Sequence, residues 1–225
     1  KQADKVVQTA YDLNFKLAAP PNVPDLVGTP LDRNIVIKWG ENYALDDEIE
    51  VTHTYDPLAA AASDPTPYYD FEGYVVYQYS NISGSNERMI ATYDIKNNVM
   101  IVYDNVFDPS IGAFVNKPVK YGSDNGIQRS FIVRKDYYTN APLVNDKDYY
   151  FAVTSYTYNA ESVPKTLESS KNILAIRPRM APSGSKYYAS YGDTVAGVTH
   201  SPGISNGSVA PVVIDPSKIT GHNYS

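Results

Sequence analysis

The stretch YYFAVTSY at 149–156 constrains the fold more than any other part of the chain. Successive side chains of a strand face opposite ways. Tyr149, Phe151, Val153 and Ser155 therefore share one face, and Tyr150, Ala152, Thr154 and Tyr156 share the other. The same period of two runs through NIVIKWG (34–40), with Ile35, Ile37 and Trp39 on one side. It recurs in FEGYVVYQYS (71–80), where Tyr74, Val76 and Gln78 oppose Val75, Tyr77 and Tyr79. VPDLVGTP (23–30) reads as an edge strand that tolerates its prolines. ERMIATYDI (87–95), NVMIVYDNV (98–106), the segment from Phe114 and KNILAIRP (171–178) supply further strands. With 16 prolines and 13 glycines to punctuate them, short strands are favoured over long helices. Ser123-Asp124-Asn125-Gly126 reads as a hairpin turn, because Asn-Gly accepts positive φ at little cost.

The two ends differ in texture. Val7, Ala10, Tyr11 and Phe15 fall near one helical face, so 1–18 reads as a short helix stopped by Pro20 and Pro21. Beyond Pro178 small residues and turn formers predominate. The expected organisation is a helical lead at 1–21, a β core at 22–178, and an extended tail or the start of a further β module at 179–225. The chain opens on Lys1, which suggests a processed product or a piece of a longer protein. Its net charge is -6 and its basic residues are scattered, so it lacks the basic face that nucleic acid requires. No apolar run approaches the ~20 residues of a membrane span. Without cysteine there is neither a disulfide nor thiolate chemistry.

IVIKW (35–39), FEGYVVY (71–77), the 143–159 stretch and ESVPKTLESSKNILAIRP together resemble a fibronectin type III domain. In that likeness Trp39 and Tyr74 are core positions. Leu143 and Tyr149 have the spacing of the family's tyrosine corner, with the Tyr149 hydroxyl bonded back to the backbone near Leu143. The resemblance implies an all-β, immunoglobulin-like sandwich, to which the helical spacing at 1–18 and the loose texture beyond Pro178 add a short N-terminal helix and an extended C-terminal tail. Such a domain runs to about 100 residues, so the match over 22–178 implies large loop insertions, at 41–70 and roughly 96–122. In the family's topology these share one end with the 157–170 loop, where binding is expected. DFEGYVVYQ, VPKTLESS and VIDPSKITGHNY further resemble large secreted surface proteins of the Bacteroidetes–Ignavibacteria kind, which are often exported by type IX secretion.

Chemistry-bearing patterns are sparse. His53, His200 and His222 fall in no metal-binding motif, and neither a nucleophile elbow nor a phosphate loop is present. Asp46, Asp47, Glu48 and Glu50 form the densest acidic run, a candidate for calcium, although they lack EF-hand spacing. Asn81, Asn206 and Asn223 head N-glycosylation patterns, and Thr194 lies in an Asp-Thr-Val stretch that resembles a bacterial O-glycosylation site. The alternation puts Tyr150 and Tyr156 outside, near Tyr77 and Tyr79 of the neighbouring strand, as a surface for a glycan or a partner protein. Cross-strand aromatic pairing within the sheet accounts for the same residues. The expectation is a non-enzymatic extracellular structural, adhesion or assembly module of a larger secreted cell-surface protein, without cofactor. Its partners would be other domains or subunits of an extracellular assembly. The alternatives are a carbohydrate-binding module and an accessory domain of a secreted hydrolase.

Overall fold

The computed structural model describes residues 2–15, 17–62, 65–199, 203–204 and 206–222; His200 and Asn223 lie outside them. In chain order the elements are α1 (Gln2–Asp12), β1 (Val27–Leu31), β2 (Asn34–Lys38), α2 (Tyr43–Glu50), β3 (His53–Tyr55) and α3 (Pro57–Ala61). They continue with β4 (Tyr68–Tyr79), β5 (Arg88–Asp94), β6 (Ile101–Asp108), β7 (Ala113–Tyr121) and β8 (Ser130–Val133). β9 (Tyr149–Tyr158), β10 (Thr166–Glu168), β11 (Leu174–Ile176) and a 3-10 turn at Pro216–Lys218 complete the set. Strand makes up 35% against 11% helix, arranged in several antiparallel sheets, which places the chain in the all-β class.

The chain forms two compact units, each assembled from separated segments. One comprises Lys1–Leu26, Trp39–Arg129 and Tyr150–Leu174; the other comprises Val27–Lys38, Ser130–Tyr149 and Ala175–Ser225. In the first, the strand order is β10-β9-β4-β3. β4 is long enough to hold β9 along one edge and two short strands in succession along the other. β3 pairs where His53 meets Asp70, and β5 pairs where Gly73 meets Asp94. Gly73 is required there, because a Cβ would run into the backbone of Tyr93 and Asp94. Both faces of β4 and β9 are buried. Val75, Tyr77, Tyr79, Ala152 and Tyr156 cluster on one, with Tyr150 and Ile173 packed against them. Tyr74, Val76, Phe151 and Val153 are buried on the other. Trp39 lies 5.9 Å from Tyr74 and 5.9 Å from Tyr93. Each large side chain removed from water in this way stabilises the fold by about 1.5–3 kcal/mol.

The first unit contains structure that period two does not reveal. The 41–70 insertion, expected as a loop, folds into α2, β3 and α3. Asn42 caps α2 by accepting from the Leu45 N–H at 3.4 Å, and Asp56 caps α3 by accepting from Leu58 at 2.9 Å. The helix expected over 1–18 ends at Asp12, because Asn14 and Phe15 turn to φ 53° and 58°. No hairpin forms at Ser123–Gly126. The buried Asp94 carboxylate accepts from the Ser123 N–H at 3.0 Å and the Asp124 N–H at 2.6 Å, and this turns the chain away from β7.

In the second unit the order is β1-β2-β8. β1 is an edge strand, which is why Pro30 fits within it. β2 is central, with Ile35, Val36 and Ile37 all buried. Tyr149 is buried, and its hydroxyl accepts from the Val144 N–H at 2.9 Å. The C-terminal segment is ordered against β1 and β2 through Asp215. This carboxylate accepts from Thr29 at 2.9 Å and from Lys38 at 2.7 Å, with both charged side chains nearly buried.

Candidate docking surface

The tyrosine surface expected on the outer face of β4 and β9 is not a surface. Tyr77, Tyr79 and Tyr156 are 5%, 3% and 1% exposed, and Tyr150 is half-buried. The physical cause is a cover of side chains from β7, from β10 and the chain just after it, and from the residue before β5. Glu168 accepts from the Tyr77 hydroxyl at 2.7 Å and from Thr154 at 2.5 Å. Lys120 donates to the same carboxylate at 2.6 Å and stands 5.1 Å over the Tyr156 ring. Lys171 stands 4.6 Å over Tyr77 and donates to Glu87, which also accepts from Tyr79. Burial, with Glu168 alongside, pushes the Tyr77 phenol far up. Burial would also raise Glu168, but Lys120 and the hydroxyl donors outweigh it and hold the carboxyl below its ordinary value. A sugar has no flat aromatic platform here.

The acidic run does not converge. Asp47 and Glu48 are exposed on α2, Glu50 is bound by Arg129 at 2.9 and 2.7 Å, and Asp46 is buried with both oxygens unpartnered. Burial raises the Asp46 carboxyl despite the nearby Arg129. Among the described residues no group of three or more acidic, His or Cys side chains is placed to hold a metal ion. His53 stacks on Tyr68 at 4.0 Å and bonds Asp70 at 2.5 Å, a cross-strand pair at the β3 edge. His222 is exposed in the C-terminal segment. Thr194 is exposed, in an isolated bridge with Val212.

What the structure brings together instead is the 96–122 insertion. β6 and β7 form a two-stranded ribbon, with Ile101 opposite Tyr121, Tyr103 opposite Pro118, Asn105 opposite Asn116 and Phe107 opposite Phe114. One face carries Val102, Asp104 and Lys120, all buried, and it covers the tyrosine cluster. Asp104 also accepts from the Lys165 N–H at 2.8 Å. The other face is open. Ile101, Tyr103, Phe107, Phe114 and Tyr121 are exposed there, Phe114 to 72%, and no charged side chain interrupts them. The Phe107 and Phe114 rings meet edge to face at 5.6 Å, and Asn116 donates to Asn105 at 3.4 Å.

A network of carboxylates fixes the base of this ribbon. Asp124 accepts from the Asn97 and Asn98 N–H groups at 2.9 and 3.0 Å. Asn97 in turn donates to both oxygens of Glu72 at 2.9 Å. Gly122 has no room for a Cβ, which would strike the Asp94 carboxylate. The ribbon is hard to read from the sequence because the Ser123–Gly126 turn signal competes for the strand that begins at Phe114. The usable signal was IVYDNVF followed by Asp-Pro-Ser-Ile-Gly and then AFVNKPVKY, two alternating runs around a turn.

Comparisons of the chain with protein-family models, with curated proteins and with solved structures found no match.

Proposed function

We propose that this chain is a non-enzymatic structural or assembly module of a larger secreted surface protein, and that it contacts other protein through the open face of β6–β7. The observation that carries the reading is that uncharged aromatic face, held out on a ribbon whose opposite face is locked to the sheet. Exposed contiguous apolar surface on a folded protein marks an interaction site. Aromatic side chains are also enriched in protein interfaces, whereas charged ones are depleted from their cores. The edge-to-face Phe107–Phe114 pair suits interdigitation with side chains better than parallel stacking on a sugar ring.

The fibronectin type III-like assignment and the extracellular location belong to the same proposal, supported by the motif order at 35–39, 71–77 and 143–159 and by the Tyr149–Val144 bond. In the full-length protein at the cell surface, Phe114→Asp is expected to leave folding and export intact and to release the protein from its assembly into the medium. Retention equal to wild type, with the variant folded, would sink the reading.

A further inference from the structure

We infer that the open face of β6–β7 is a self-docking surface whose partner is a second copy of this chain, related by a two-fold axis that crosses the ribbon at Asn105 and Asn116. This deepens the assembly reading and rests on it.

The absence of charge admits a second copy as the partner. The chain carries a net charge of -6, so two copies repel wherever their acidic surfaces meet. The face formed by Ile101, Tyr103, Asn105, Phe107, Phe114, Asn116, Pro118 and Tyr121 has no charge to repel a copy and none to attract an oppositely charged partner. The order of residues along the face then supplies self-complementarity. An amide pair, Asn105 and Asn116, lies between apolar rows. Phe107 and Phe114 are toward the turn, and Tyr103 and Pro118 are toward the base. A two-fold axis through the amide pair, in the plane of the interface and across the strands, reverses the ribbon. It places the Phe107–Phe114 row of each copy on the Tyr103–Pro118 row of the other, and Asn105 faces Asn105. An amide both donates and accepts, so identical amides satisfy each other, which identical charged groups cannot do. An isologous interface requires this kind of match between a patch and itself.

The patch is small. About eight residues at roughly 3.4 Å each make a ribbon near 25 Å long, below the ~800 Å² per partner of a standard stable interface. Association of the free chain therefore belongs to the weak class, strengthened where many copies are held side by side on a surface.

Sedimentation velocity on the whole chain, from low micromolar to about 1 mM, tests this. Wild type should show a concentration-dependent dimer. Asn105→Asp and Asn105→Lys should each weaken dimerisation by at least tenfold, and an equimolar mixture of the two should restore it as a heterodimer. Circular dichroism on each variant establishes that it is folded. A wild-type chain monomeric throughout, dimers indifferent to both substitutions, or a mixture no better than its components would each overturn the inference. If the chain proves monomeric while Phe114→Asp still releases the full-length protein, self-docking falls and the assembly reading survives.

Discussion

Glu72 sits 3% exposed, and among the described residues its carboxylate is held by the Asn97 amide with no cation beside it. Burial pushes its carboxyl up to about 7, with Asp94 and Asp124 adding to the rise and the Asn97 bonds opposing it. The folded chain thus holds this proton more tightly than the unfolded chain, whose glutamate titrates near its ordinary value. Stability from this group is full below that ordinary value, falls as pH rises through the interval up to about 7, and is lowest above it. Replacing Glu72 with Gln removes the ionisation and keeps an amide-compatible site. The variant should melt several degrees higher than wild type at pH 8 and close to wild type at pH 4.5. Thermal unfolding at the two pH values measures this, and an equal shift at both would refute it. The same reasoning separates Glu72 from Glu168, whose burial is matched by Lys120.

At the scale of elements, the strands were legible because alternation and burial are properties of a single segment. Trp39, Tyr74, Leu143 and Tyr149 are interior positions in the fibronectin type III resemblance, and all four are buried. The Tyr149 hydroxyl bond bridges the turn that enters β9. Tyr149→Phe leaves the Val144 N–H without that acceptor and should cost about 1 kcal/mol. Chemical denaturation reads the loss, and hydrogen exchange at Val144 should quicken before that of the β9 interior. Unchanged exchange at Val144 would show the bond to be idle. The ribbon β6–β7 was less legible. Its outer face has the alternation of a half-buried strand, yet nothing in the described structure covers that face. Hydrophobic periodicity states which residues share a side, and the partner on that side is a separate question.

At the scale of the molecule, the C-terminal segment is part of a folded unit and contributes Asp215 to a buried ion pair with Lys38. The Asp215 carboxyl is held below its ordinary value, because the donors Lys38, Ser217 and Thr29 outweigh the burial that would raise it. Asp215→Ala removes the buried carboxylate that accepts from Lys38 and Thr29, and losing a hydrogen bond to a charged group typically costs about 1.5–3 kcal/mol. Hydrogen exchange should rise across 211–218, and the melting temperature should fall. If protection there stays at wild-type level, the clasp does not hold the segment. Small residues and turn formers in this stretch read as a loose tail, since composition reports how little apolar area a segment carries and not which charge it inserts elsewhere.

The all-β class, the main strands and which residues share a face are legible in the chain alone, because these follow from local backbone geometry repeated every second residue. What those faces meet is set by the packing of distant segments. Tyr77 and Tyr156 alternate outward like surface residues, yet lie under Lys120 and Glu168, which are distant in sequence. Phe107 and Phe114 alternate like core residues and stand in solvent. Burial is set by long-range contacts between segments, and no local period encodes them.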